Sequence, residues 1–309
     1  MSQWFPVTRF IHFAASILMT ALFVFNAVVL FPATDGEKAP RRSGIAAGWL
    51  FWVCFTLTLL SGMVWFLIVS TTMSGDASPL AVDPQTYWVV VSQTVFGHVW
   101  LLRFLCCLVL VALFLARCPD VIKALLAVVI VALLSVISHA AANSTNLRGV
   151  SLTGDAGHLV ASCFWPGGLF PFLLYVRAEM LGPFPKSWIM VARVCQRFST
   201  VSLLSVLFLA ATGLSNAIFI VGDLHSLFGT DYGRLLLVKI VTFVLMLGFG
   251  ACNLLVLKPR LLALGCLESE TCTPSPVVWL VRSVLCETVL GICVLLIVGY
   301  LGTMPPPMH

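Results

Sequence analysis

Six histidines punctuate the chain: His12, His98, His139, His158, His225 and His309. Imidazole nitrogen suits copper, zinc, iron and nickel, and thioether sulfur beside it narrows the choice to copper, above all Cu(I). Met73, Met304 and Met308 supply such sulfur. Asp155 and His158 stand three residues apart, so a helix carries them on one face. An aspartate placed there can accept the second imidazole N–H and orient the ring for a metal. It can equally sit near the N-cap of a helix that begins at about residue 156, where its charge is favourable. Two histidines on facing helices are also the ligands of a b-type haem, and His12, His98, His139 and His158 can supply such pairs. The eleven cysteines offer softer donors, although a free cysteine also packs as a small hydrophobe. Cys163, five residues beyond His158, and the pair Cys106 and Cys107 are the candidate relay ligands for Cu(I). No nucleotide loop, zincin helix or nucleophile elbow is present, so no enzymatic activity is expected.

These side chains need elements to position them, and composition says which kind. Of 309 residues, 60% are hydrophobic and 9% charged, with a mean hydropathy of +1.07. A soluble domain carries about 25% charged residues, so a soluble enzyme is excluded, as are disorder and a collagen-like fibre. Eight apolar runs stand at about 9–31, 45–70, 93–116, 121–141, 156–178, 198–221, 234–257 and 278–301. A membrane-spanning helix needs about 20 apolar residues, and open sheet edges cannot face lipid. The expectation is an all-α bundle of eight spans, one transmembrane domain over 1–309 in a lipid bilayer, with no separate soluble domain. Span 1 reads as a retained helix, because no basic leader or small-residue cleavage site flanks it.

Topology follows from the basic residues. The connections after spans 1, 3, 5 and 7, with their flanks, hold Lys38, Arg41, Arg42, Arg117, Lys123, Arg177, Lys186, Arg193, Arg197, Lys258, Arg260 and Arg282. The other side holds Arg9, Arg148 and Arg234. The richer side is expected in the cytoplasm, with both termini outside. A net charge of +5 therefore marks orientation, and no nucleic-acid partner is implied. All six histidines then lie on or near the outer face, where Asp76, Asp83, Asp155, Asp223 and Asp231 favour cations. No outer loop carries a cysteine, which excludes an outer disulfide framework.

The connection between spans 4 and 5 is about 14 residues, so those helices are antiparallel neighbours. His139 at the end of one and His158 at the start of the other are the expected core of an outer copper site. His98, His12 or Met73 would complete it. Arg103, Lys239 and Glu287 lie inside spans, where charge is costly and needs a partner or a polar interior. Arg103 and Lys239 can snorkel outward. Glu287 is too deep for that, and Lys239 is its expected partner. Trp165-Pro166-Gly167-Gly168 is expected to kink span 5 or thin it for a close neighbour.

Several segments together resemble the copper-resistance protein D family of bacterial inner-membrane proteins. They are Gln93-Thr94-Val95-Phe96-Gly97-His98-Val99-Trp100-Leu101-Leu102-Arg103, Ser138-His139-Ala140-Ala141-Ala142 and Asp155-Ala156-Gly157-His158-Leu159-Val160-Ala161. Trp165-Pro166-Gly167-Gly168-Leu169, Phe198-Ser199, Thr212-Gly213-Leu214-Ser215-Asn216, the run from Gly229 to Lys239, Asn253 and Pro259 follow in order. The resemblance implies an eight-helix protein that handles copper at the inner membrane, often beside a small periplasmic copper chaperone, and it favours uptake toward the cytoplasm. His98 stands where the family has a basic or polar residue, often Arg, and Pro166 where a Leu or Ala is more usual. A haem b electron-transfer protein and a copper-delivery factor without transport are the rival readings.

Overall fold

The computed structural model describes residues 3–34, 41–76, 78–137, 148–181, 188–264 and 275–305. Every regular element among them is helical. Eight helices are long and apolar enough to cross a membrane: Phe5–Ala33, Gly48–Ser74, Val95–Leu115, Asp120–Ile137, Leu152–Met180, Ile189–Ile218, Asp231–Ala263 and Ser275–Leu301, numbered spans 1 to 8. They match the eight apolar runs in number and order, most ends falling within a few residues; span 6 begins nine residues before its run and span 7 ends six residues after its own. Two short helices, Pro84–Gln93 and Leu224–Gly229, precede spans 3 and 7. Each main helix that follows starts on a threonine whose hydroxyl accepts from the backbone N–H three residues on: Thr94 from Gly97 and Thr230 from Gly233. That is the N-cap geometry of helix starts.

Spans 1 and 5 are the most enclosed. Span 1 packs on spans 2, 4, 5 and 8. One apolar cluster joins span 1 to spans 2, 3 and 4 through Met19, Phe23, Phe51, Cys107, Leu110 and Ile130. A second joins spans 5 to 8 through Trp165, Phe172, Val194, Phe198, Met246 and Leu280. Phe25 and Val29 of span 1 also enter the second cluster, so the two halves share a seam.

Span 5 breaks where its sequence says it should. The helix runs from Arg148 to Phe164, turns over Trp165–Gly168, and resumes at Leu169. A Cβ on Gly168 would lie 2.4 Å from the Phe164 carbonyl oxygen and 2.9 Å from the Phe198 ring. One on Gly167 would lie 2.9 Å from Ile17. The missing side chains therefore permit both the turn and the contact with spans 1 and 6.

Two π segments have a common cause. Phe25–Leu30 and Asn253–Leu257 stand just before Pro32 and Pro259. The residue ahead of each proline donates five back: Phe31 to Asn26 and Lys258 to Asn253. Proline has no N–H and clashes with the carbonyl four residues earlier, so the ladder widens by one residue there.

Candidate functional site

Four polar residues share a depth. His12, Arg103, His158 and Lys239 lie six to eight residues past the starts of spans 1, 3, 5 and 7, about 9–12 Å by helical rise. They form two groups.

The first group holds His12 and Arg103, both buried. Arg103 Nη1 donates to His12 Nε2 at 2.7 Å, Nε donates to the Ile130 carbonyl at 2.9 Å, and Nη2 lies 3.4 Å from Ser16 Oγ. Guanidinium only donates, so Nε2 is the accepting nitrogen and the proton of the neutral ring sits on Nδ1. His12 Nδ1 then donates to Ser61 Oγ at 3.0 Å, and the Ser61 hydroxyl donates to the Leu57 carbonyl. Trp65 packs edge-on to the ring, and a Cβ on Gly62 would lie 3.2 Å from it. Both nitrogens of His12 are thus engaged. Of the two readings for Arg103, a partner within the bundle or snorkelling outward, the bonds to His12 and to the Ile130 carbonyl of span 4 support the first.

The second group is built on spans 5, 6 and 7. His158 Nδ1 lies 2.8 Å from Thr212 Oγ1, and Thr212 donates to the Phe208 carbonyl at 2.7 Å. The threonine proton is committed to the backbone, so its oxygen accepts from the imidazole. In the neutral ring the remaining lone pair is on Nε2, the arrangement of a metal-binding histidine held by an outer partner. Gly213 gives the ring room, since a Cβ there would be 3.6 Å from His158 Cε1. Asp155 Oδ1 accepts from Asn216 Nδ2 at 3.1 Å. Thr212 and Asn216 are four apart and share a face of span 6. The Lys239 ammonium is within electrostatic reach of Asp155 and His158.

Two expectations change here. The helix carrying Asp155 starts at Arg148, two turns earlier than expected, so Asp155 is no N-cap residue. Lys239 does not pair with Glu287. Glu287 is buried and accepts from the Asn253 amide, with the Trp165 indole also bonded to it. Thr212, Asn216, Ser61 and Asn253 had no assigned role in the sequence reading. Their signal was polarity within apolar runs, and for Thr212 and Asn216 their four-residue spacing.

The remaining candidates are dispersed. His139 lies outside the described residues, as do Met308 and His309. His98 is exposed, with Nε2 2.9 Å from the Ser92 carbonyl across the corner ahead of span 3. Met73 is exposed at the end of span 2. Cys163 is fully buried beside Ile17 and Val131 and donates to the Leu159 carbonyl at 3.4 Å. Five residues turn it about 140° around the helix from His158. Cys106 and Cys107 pack in the cluster of spans 1 to 4, and Cys107 borders a pocket of about 30 Å³ with His12 and Arg103. Among the described residues no three His, Cys, Asp or Glu side chains converge as a metal cage.

Comparison with known proteins gives the chain its relatives. A family model described as the copper resistance protein D-like N-terminal domain matches residues 1–150, and one described as copper resistance protein D matches 192–301. The chain is 28% identical to the inner membrane protein YebZ of Escherichia coli K12 over 306 residues, 96% of this chain and 97% of the relative. It is 30% identical to the copper resistance protein D of Pseudomonas syringae pv. tomato over 263 residues, 82% of this chain and 83% of the relative. It is also 30% identical to the copper transport protein CutJ of Bacillus subtilis 168 over 171 residues, 55% of this chain and 28% of the relative. No solved structure matches the chain significantly.

Proposed function

The chain belongs to the copper resistance protein D family, and from that premise we propose that it takes up copper from the periplasm and passes it toward the cytoplasm. It is a multi-pass protein of the inner membrane whose work concerns copper. Copper is the cargo, exchanged between ligands, and no covalent catalysis is involved. The observation that carries the reading is the His158–Thr212 pair, which fixes the ring and leaves Nε2 as the donor. Span 4 packs against span 5, so His139 is the natural second ligand. Exposed His98 and Met73 suit first contact with a periplasmic copper chaperone. The excess of basic residues on the opposite side favours a cytoplasmic exit there.

The test compares wild type with His158→Ala and the double variant His139→Ala, His158→Ala. Copper per chain is measured in purified protein, with a visible spectrum, and copper accumulation is measured in cells. The expected result is a loss of bound copper and of accumulation in both variants, with thermal unfolding unchanged. Wild-type copper content in a folded double variant overturns the site. A Soret band favours the haem b reading. Copper binding without accumulation favours a delivery factor.

A further inference from the structure

Spans 6 and 7 meet at their two ends: Lys258–Leu264 of span 7 packs on span 6, and Val221 of the span 6 helix shares an apolar cluster with Tyr232 and Leu236. Along Asp231–Cys252 span 7 rests mainly on span 8. Between these contacts lies a cavity of about 270 Å³, close to the lower size of small-molecule sites, about 300 Å³. Trp165, Phe172, Phe198, Val284 and Glu287 are among the residues that line it. The mouth faces the bilayer: Ala251 at the rim is exposed and Leu203 is 47% exposed.

Three features of the cavity define an occupant. The first is a polar pole of acceptors. Glu287 is 1% exposed, and the Asn253 amide N–H is directed to it. That leaves Asn253 Oδ1, which has no partner among the described residues, and neither has Ser202 Oγ. Both residues line the cavity. Buried acceptors without a partner are rare and costly, so the occupant should bring a hydroxyl. The second is aromatic lining: Phe172 and Phe198 stack at 4.7 Å, and Trp165 also lines the cavity. These suit a flat ring. The third is depth. Glu287 stands twelve residues after Ser275 and fourteen before Leu301, roughly 18–21 Å from either helix end. Phospholipid headgroups stay at the interface, so the polar pole calls for an apolar molecule whose hydroxylated head can enter the membrane interior.

We propose that this cavity binds an isoprenoid quinol, its ring between Trp165 and the Phe172–Phe198 pair, a hydroxyl donated to Asn253 Oδ1, and its tail leaving between spans 6 and 7. Glu287 supplies a second acceptor. The π turn that begins at Asn253 aims that amide at the cavity. The site is separate from His158, and nothing in it depends on copper.

The probe is decylubiquinol, titrated calorimetrically into the full-length protein in detergent, with 1-decanol and phosphatidylglycerol as comparison ligands. Wild type and His158→Ala should bind one decylubiquinol per chain and neither comparison ligand with similar affinity. Asn253→Leu removes the acceptor, and Ala251→Phe fills the mouth. Each should weaken binding by about tenfold or more, the scale of 1.4 kcal/mol. Equal binding of 1-decanol or phosphatidylglycerol would reduce the cavity to a lipid cleft and overturn the proposal. Undiminished binding by both folded variants would also overturn it. If either variant fails to fold, photolabelling of wild type with an azidoquinone decides. Label on Cys195–Val206 and Leu247–Leu254 supports the site, and label confined elsewhere refutes it.

Discussion

Two histidines at one depth have opposite fates because of their neighbours. His12 meets a guanidinium, which can only donate, so its free nitrogen lone pair is taken up by Arg103. His158 meets a threonine whose proton already belongs to the Phe208 carbonyl, so its N–H is taken and its lone pair is left. Both rings hold Nδ1 against a hydroxyl already bonded to the backbone, Ser61 for His12 and Thr212 for His158, so the difference rests on the Arg103 guanidinium that only His12 meets; the Thr212 hydroxyl makes a direct prediction. Thr212→Val keeps the shape but removes the acceptor for Nδ1. Copper affinity should fall by about 10–100-fold, the usual effect of losing an outer partner of a metal-binding histidine. Thr212→Ser should restore it. The measurement is competition with a chelator of known affinity. An unchanged affinity in Thr212→Val would show that Thr212 does not prepare the ring.

The spans are shaped by residues that interrupt helices. Pro32 and Pro259 each widen the ladder ahead of them, and the second of these turns places Asn253 beside Glu287. Gly167 and Gly168 let span 5 turn and let spans 1 and 6 approach. Gly168→Ala should destabilise the protein by about 1–3 kcal/mol, because the new methyl overpacks against the Phe164 carbonyl and the Phe198 ring. Gly248 is the control: a Cβ there meets nothing within 4 Å. Gly248→Ala should be neutral or stabilising, since Ala exceeds Gly in helix propensity by about 1 kcal/mol. Thermal unfolding in detergent distinguishes the two. Equal midpoints would refute the packing role of Gly168.

Across the whole molecule, charge and chemistry separate along the membrane normal. The His12–Arg103 and His158–Lys239 groups lie toward the ends where odd-numbered spans begin. Lys123, Lys258 and Arg260 lie toward the other end, where Lys123 pairs with Asp120 at 2.5 Å. Eight crossings return the chain to the side on which it started. The basic excess predicts that this side is the periplasm. A periplasm-dependent reporter fused after His309 should therefore be active, and a cytoplasm-dependent one silent. The reverse pattern would invert the proposed direction of copper uptake along with the topology.

Spans are properties of single segments, so they could be read from the sequence; orientation is what local charge predicts. Apolar length, Pro/Gly breaks and the family segments announced eight helices, the turn at Trp165–Gly168 and membership of the copper family. The polar partnerships join helices distant in sequence: His12 to Arg103 across 91 residues, His158 to Thr212 across 54, and Asn253 to Glu287 across 34. Periodicity places each residue on its own helix but says nothing about which helix lies opposite. That is why Glu287 was matched with Lys239 as an opposite charge inside the spans, and why Asp155 rather than Thr212 was expected to hold His158. Packing of apolar faces decides which spans are adjacent, and only that adjacency determines whether a buried donor meets a carbonyl, a hydroxyl or another charge.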